Sequence, residues 1–83
     1  MKKWFVYIVE CSDGTYYTGI STDVNKRIST HNIGRGAKYT RSRLPVICVY
    51  SKEYSDRSEA NKEEYRIKQL TRKEKIKLIN KLF

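Results

Sequence analysis

The chain has 83 residues, enough for one small domain over 1–83, and a chain of this size buries only about 60–65% of its unfolded surface, so its core is modest. Its 18 Lys and Arg against 9 Asp and Glu give a formal net charge of +9, a field that favours polyanions and nucleic acid above all. No apolar run is long enough to span a membrane, and Met1-Lys2-Lys3 opens no signal-peptide pattern, so a cytoplasmic protein without a membrane partner is expected.

Residues 4–11 and 15–20 are rich in aromatic and β-branched side chains and read as two strands. The turn between them has two possible lengths. A two-residue loop at Asp13-Gly14 would pair Cys11 with Tyr16 and set Tyr7 and Tyr17 on opposite faces. A three-residue loop, Ser12-Asp13-Gly14, with the glycine in the left-handed position of a bulge, pairs Tyr7 with Gly19 and Val9 with Tyr17. Both tyrosines then share one face, and Trp4, Val6, Ile8, Tyr16, Thr18 and Ile20 form an apolar opposite face. The three-residue register is favoured, because a one-residue slip would reverse every side chain.

Ser21-Thr22-Asp23 supplies helix N-cap chemistry for a helix over about 23–32. Asp23, Arg27 and His31 recur every fourth residue and lie on one face of it. Residues 33–43 are glycine-punctuated and strongly basic, a loop or a short irregular helix. Pro45 then opens a third strand, Val46–Tyr50, whose unbroken apolar run predicts cover on both faces. Asp56 with Glu59, and Thr71 with Glu74, form two capping boxes. They start a helix over about 57–70 and a last helix whose Ile76, Ile79, Leu82 and Phe83 can dock on the core. The order is β-β-α-β-α-α, an α+β domain with a three-stranded antiparallel sheet flanked by helices. Cys11 and Cys48 lack CxxC spacing and share the chain with one histidine, so they are expected to be buried, reduced thiols rather than zinc ligands.

Taken alone, Tyr7 and Tyr17 read as ordinary sheet aromatics, Arg27 as a solvated helix charge, and His31 as either a bystander or a phosphate contact or proton relay. At roughly 100° per residue, Ala60, Ile67 and Leu70 define a buried helix stripe. Glu63 falls near its middle and Glu64 at its edge, so the pattern does not choose between the two acids.

The stretches Val6-Tyr7-Ile8, Tyr17-Thr18-Gly19, Asn25-Lys26-Arg27, Gly36-Ala37-Lys38-Tyr39-Thr40, Leu44-Pro45-Val46 and Glu64-Tyr65-Arg66-Ile67-Lys68, in this order and spacing, resemble the GIY-YIG nuclease superfamily. The likeness covers nearly the whole chain and is nearest to the small stand-alone bacterial and archaeal members. Val6 departs from the start of the first name triplet, and Thr18 replaces the isoleucine of the second. The resemblance implies that Tyr7 deprotonates an attacking water with Tyr17 beside it. It further implies that Arg27 holds the scissile phosphate and that Glu64 binds a single divalent metal ion, Mg²⁺ or Mn²⁺.

That chemistry is sound in general terms. A phenol with a pKa of about 10 needs cations nearby to act as a base. A planar guanidinium suits a phosphate and the charge that builds up on it. A lone carboxylate suits Mg²⁺, which keeps most of its waters. Lys26, Arg35, Lys38, Tyr39, Arg41 and Lys68 are the expected nucleic-acid contacts, with Tyr39 stacking on a base or lining the site. Asn80 has no motif around it and receives no role. The expected activity is metal-dependent hydrolysis of phosphodiester bonds in DNA, with RNA a possible substrate, selective for structure rather than sequence and suited to repair or recombination. The rival readings are a non-catalytic nucleic-acid-binding module of the same fold and an adaptor that meets a repair protein through its sheet edge.

Overall fold

The turn between the first two strands closes as the three-residue loop. Gly14 takes a φ of 82°, its amide donates to Cys11 O at 2.9 Å, and Cys11 N donates to Thr15 O at 2.8 Å. Asp13 accepts from Thr15 N at 3.1 Å and Thr15 Oγ1 at 2.6 Å, and the Thr15 hydroxyl first, then its amide and Arg43, holds the carboxyl below its ordinary range. The computed structural model describes residues 3–81. In it β1 (Trp4–Glu10) pairs antiparallel with β2 (Tyr16–Ser21), with Tyr7 opposite Gly19 and Val9 opposite Tyr17. Tyr7 and Tyr17 therefore point to the same face, as the favoured register requires.

The remaining elements are α1 (Val24–Asn32), a single turn α2 (Lys38–Arg41) inside the basic loop, β3 (Ile47–Tyr54), α3 (Arg57–Lys68) and α4 (Arg72–Asn80). The sheet is antiparallel in the order β2-β1-β3, so β1 is central and both its neighbours are edges. On one face Val6 and Ile8 pack with Tyr50, Ala60, Ile67 and Ile79, flanked by Trp4, Tyr16, Ile20 and Leu70. On the other, Tyr7, Val9, Cys11 and Val46 pack with Tyr17, Val24, Ile28 and Leu44. Helices thus cover both faces: α1 lies over the tyrosine face, and α3 and α4 lie over the opposite one.

Three sequence expectations change. β3 begins one residue later than the apolar run and continues to Tyr54. It is an edge strand and is not covered on both faces: Ile47 is 60% exposed. Cys48 is exposed too, contrary to its expected burial, and its Sγ–H donates to Tyr50 O at 3.4 Å. An edge strand over a three-stranded sheet has too little neighbouring mass to bury both sides of every residue, whatever its composition. Cys11 is buried as expected.

The caps hold, with one difference. Thr71 and Glu74 form the complete reciprocal box at the start of α4. Asp56 caps Glu59 N at 2.9 Å, but the Glu59 carboxylate accepts from Ser55 Oγ at 3.0 Å instead of from the N-cap amide. Ile79 docks in the core and Ile76 is half-buried; Leu82 and Phe83 lie outside the described residues. Glu63, placed by helical spacing over the apolar stripe, escapes the core by accepting from Tyr54 Oη at 2.9 Å and from Arg66 Nε. The bond to Arg66 pulls its carboxyl below the ordinary range against the effect of burial, so it remains a satisfied, charged structural group.

Candidate active site at the open edge of the sheet

β1 is central, yet the Tyr7 phenol reaches the edge of the sheet. Gly19, its partner on β2, makes this possible: a Cβ there would stand 2.6 Å from Tyr7 Oη and 2.8 Å from Cζ. With only hydrogen at that position, the ring lies against the β2 backbone, 1% exposed, with its hydroxyl over Gly19. The α1 layer arrives there from one side of the sheet and the rim of α3 from the other.

α1 is set by Asp23, whose Oδ1 accepts from Lys26 N at 3.0 Å. Two turns on, His31 is fully buried. Its Nε2 is 2.9 Å from Tyr7 Oη, and its Nδ1 is 2.9 Å from Thr40 Oγ1. Thr40 Oγ1 is also 2.9 Å from Ala37 O. A carbonyl can only accept, so the threonine proton points to Ala37 and its lone pairs face the imidazole. Nδ1 then carries the ring proton, and the free lone pair on Nε2 accepts from the tyrosine hydroxyl. The result is a directed chain, Tyr7 O–H to His31, His31 N–H to Thr40, Thr40 O–H to Ala37. It is the one assignment that satisfies all three contacts.

Electrostatics gather the remaining groups around the same phenol. Burial raises the Tyr7 pKa above its ordinary value; Arg27 acts against that rise, and the charges of Tyr17 and Glu64 add to it. Burial first, then the Arg27 charge, lowers the His31 pKa below 6.5, which keeps the ring neutral near pH 7. Tyr17 meets His31 edge-on at 5.5 Å between ring centroids and stacks on Tyr39 at 6.1 Å. Tyr39 in turn carries the Arg43 guanidinium 4.0 Å from its ring centre. Tyr39, 38% exposed, therefore stands beside Tyr17 and His31.

Tyr7, Tyr17, Arg27, His31 and Glu64 thus come to one place. Glu64 lies between buried Ala60 and Ile67 on α3, 21% exposed, with Lys68 Nζ 3.4 Å from its carboxylate. Among the expected nucleic-acid contacts, Lys68 accordingly stands against Glu64. Lys26 and Arg27 line a groove of about 190 Å³ with Thr22, Asp23 and Thr30. Arg35, Lys38 and Arg41 are exposed around the α2 turn, and their side chains make no hydrogen bond or ion pair to the five clustered groups.

Four supporting residues have no sequence signal that names their task. Thr40 and Gly36 belong to the quoted stretch after α1, but nothing in their spacing brings them to His31. A Cβ on Gly36 would overlap His31 Nδ1 and stand 2.8 Å from Cγ. Gly19 reads as part of a strand. Arg43 reads as one loop cation among several, yet its Nε donates to Asp13 Oδ2 at 3.0 Å and its Nη1 to Tyr39 O at 2.7 Å, pinning the α2 turn to the β1–β2 turn.

Among the described residues no three His, Cys, Asp or Glu side chains come together. The donor set near Tyr7 is one carboxylate, opposed only by a long, exposed ion pair to Lys68. That set fits Mg²⁺ or Mn²⁺, which would complete its shell with water and phosphate oxygens, and does not fit zinc.

A family model described as the GIY-YIG catalytic domain matches residues 3–77. A UPF0213 protein of Staphylococcus epidermidis is 56% identical over 79 residues, covering 95% of this chain and 96% of that protein. A UPF0213 protein of Halobacterium salinarum is 57% identical over 70 residues, covering 84% and 91%. The solution NMR structure of a UPF0213 protein from Bacillus halodurans matches with a TM-score of 0.61 at 45% identity, covering 94% of this chain and 83% of that one. A second NMR structure, of a protein from E. faecalis, matches with a TM-score of 0.66 at 39% identity, covering 99% and 88%.

Proposed function

The chain belongs to the GIY-YIG family, and from that membership we propose that it is a metal-dependent nuclease that hydrolyses phosphodiester bonds in DNA. The observation that carries this reading is the directed contact of 2.9 Å from Tyr7 Oη to the Nε2 lone pair of a neutral, buried His31.

That contact resolves a difficulty in using tyrosine as a base. Burial disfavours a free phenolate at Tyr7, so the tyrosine does not wait in ionised form. It relays. As a water attacks phosphorus, its proton passes to Tyr7 Oη while the phenolic proton passes to His31 Nε2. The new P–O bond forms as a P–O ester bond breaks; the leaving oxygen takes a proton from solvent, and the imidazolium left at His31 returns its proton to solvent afterwards. Arg27 meets the negative charge that accumulates on the phosphate oxygens. Tyr17 closes the site over the imidazole edge and, with Tyr39, keeps bulk water from the relay. Glu64 is the carboxylate that would hold a divalent metal ion, and such an ion would supply positive charge to the phosphate.

The chain sets Lys26, Arg35, Lys38 and Arg41 on the side of α1 and α2 and Lys68 beside Glu64, and among the described residues no element projects to read bases in a groove. Backbone charge and shape therefore govern binding, and single-stranded or branched DNA, whose backbone can bend over the open sheet edge, is the preferred substrate. Repair and recombination are the settings that produce such DNA.

The test is to incubate the protein with single-stranded, duplex and branched DNA in Mg²⁺, in Mn²⁺ and in EDTA, with Tyr7→Phe and Glu64→Gln alongside. Cleavage that needs the metal and disappears in both variants while DNA binding persists supports the nuclease. Binding without cleavage under every condition would replace it with a non-catalytic binding module. Cleavage that survives both substitutions would assign the activity to a contaminant.

A further inference from the structure

Thr40 is fully buried, and among the described residues it makes the one hydrogen bond to the His31 ring besides that of Tyr7. We infer that Thr40 is a positioning residue for the hydrolysis: its hydroxyl holds His31 in the tautomer whose Nε2 lone pair faces Tyr7. This inference rests on the nuclease reading for its catalytic consequence and on geometry alone for the tautomer.

A neutral imidazole has two tautomers, and the hydrogen bond at one nitrogen decides which of them is held. Here the choice comes from Ala37. Its carbonyl accepts from both Thr40 N, at 3.1 Å, and Thr40 Oγ1, at 2.9 Å, which turns the threonine proton away from the ring. The oxygen then presents only lone pairs to Nδ1. With the proton on Nε2 instead, that nitrogen would aim an N–H at Tyr7 Oη and could take no proton from it.

The turn that carries Thr40 is itself held in place. Arg43 N donates to Thr40 O at 2.9 Å, Ser12 N donates to Arg43 O at 2.9 Å, and Arg43 bridges Tyr39 O and Asp13. Gly36 leaves the space that the imidazole occupies. Hairpin turn, α2 and the end of α1 are thus joined around one ring orientation.

Valine at position 40 keeps the shape but sets a methyl group against Nδ1–H. A buried donor left unpaired is costly, and the ring relieves it by moving its proton to Nε2, where Tyr7 Oη can accept. Serine keeps the hydroxyl and should keep the tautomer.

His31 is the one histidine of the chain, so its ring nitrogens can be read by ¹⁵N NMR without ambiguity in untagged protein, well above pH 6.5. Wild type and Thr40→Ser should carry the proton on Nδ1, and Thr40→Val should move it to Nε2. Cleavage should fall on the order of 10- to 100-fold in Thr40→Val, a part of the 10²–10⁴ that a positioned base supplies, and be largely restored in Thr40→Ser. Nε2–H in the wild type overturns the inference, and so does a Thr40→Val protein that keeps Nδ1–H or cleaves at the full rate. Should Thr40→Val fail to fold, the wild-type tautomer and the serine variant decide. A wild type that cleaves nothing sinks the nuclease reading, and the ring nitrogens alone then judge Thr40.

Discussion

Thr18 stands on β2 facing the layer of α3, 3% exposed, and its Oγ1 has no hydrogen-bond partner among the described residues. A buried hydroxyl without a partner keeps its desolvation cost and returns nothing. Thr18→Val, which retains the volume and the β-branched shape, should therefore raise stability by about 1 kcal/mol. The check is a urea titration, in which the midpoint should rise at unchanged slope; a lower midpoint would mean that the hydroxyl has found a water. His31 sets a pH limit of the opposite kind. Above pH 6.5 its ring is neutral in the folded and unfolded chain alike. As the pH falls through 6.5, the unfolded chain takes up a proton that burial and Arg27 deny the folded site, so stability declines. In the proposed nuclease, cleavage should decline only at lower pH, once the folded ring itself takes up a proton, because a protonated Nε2 accepts nothing. In His31→Gln the melting temperature should lose most of its slope between pH 6.5 and about pH 5, above the range in which Asp13 and Glu63 take up protons; a slope equal to wild type would move that sensitivity to other groups. Tyr7, Tyr17, Arg27 and Glu64 were legible as a set because their chain order matches a known pattern. Thr40 and Gly36 were not, because a partner that closes a hydrogen bond or vacates a space from a loop leaves no periodicity behind.

At the level of elements, the decisive piece is the turn at Ser12-Asp13-Gly14. Its register could be argued from sequence because only one loop length puts the apolar alternation of both strands on a common face, and a glycine stands where the backbone needs a left-handed residue. β3 resisted the same reasoning. Its start reads as a fully covered strand, but cover depends on how many strands and helices flank it, and that is a property of the assembled sheet. The junction of α1 with β3 is a second detail hidden in the sequence. Asn32 Nδ2 donates to Val46 O at 3.1 Å, and Val46 N donates to Asn32 Oδ1 at 2.8 Å, so one side chain copies the pairing of a strand neighbour for a residue just before β3 begins. Val46 is buried, and its amide has little access to water once that partner is gone. Asn32→Ala should cost about 2 kcal/mol, within the range for an unsatisfied buried group plus a lost bond. It should also disturb the end of α1, which carries His31, so cleavage should fall further than stability alone explains. Equal stability in a denaturant titration would show that water replaces the amide.

For the whole molecule, an excess of nine positive charges on 83 residues opposes compaction and cannot be explained by the fold. Among the described residues four ion pairs occupy only Lys3, Arg43, Arg66 and Lys68, which leaves Lys26, Arg35, Lys38 and Arg41 without acidic partners on the side of α1 and α2. If these cations meet a DNA backbone, each contact releases condensed counterions, and the logarithm of the binding constant falls linearly with the logarithm of salt. The slope is roughly 0.7 per contact on single strands and 0.9 on duplex, so it counts contacts regardless of sequence. Tyr7→Phe protein in EDTA isolates binding from cleavage. In that background, replacing Lys38 and Arg41 together by Gln should reduce the slope by about 1.4 on a single strand and about 1.8 on a duplex. The two charges lie on the α2 turn, and the same turn supplies Thr40 to His31, so their loss should weaken DNA binding without moving the ring proton. An unchanged slope would remove α2 from the contact surface and shift it to α1 and Lys26. A changed slope accompanied by a changed His31 tautomer would show instead that the turn had been displaced, and the DNA contact would then have to be sought with Arg35 and Lys26 alone.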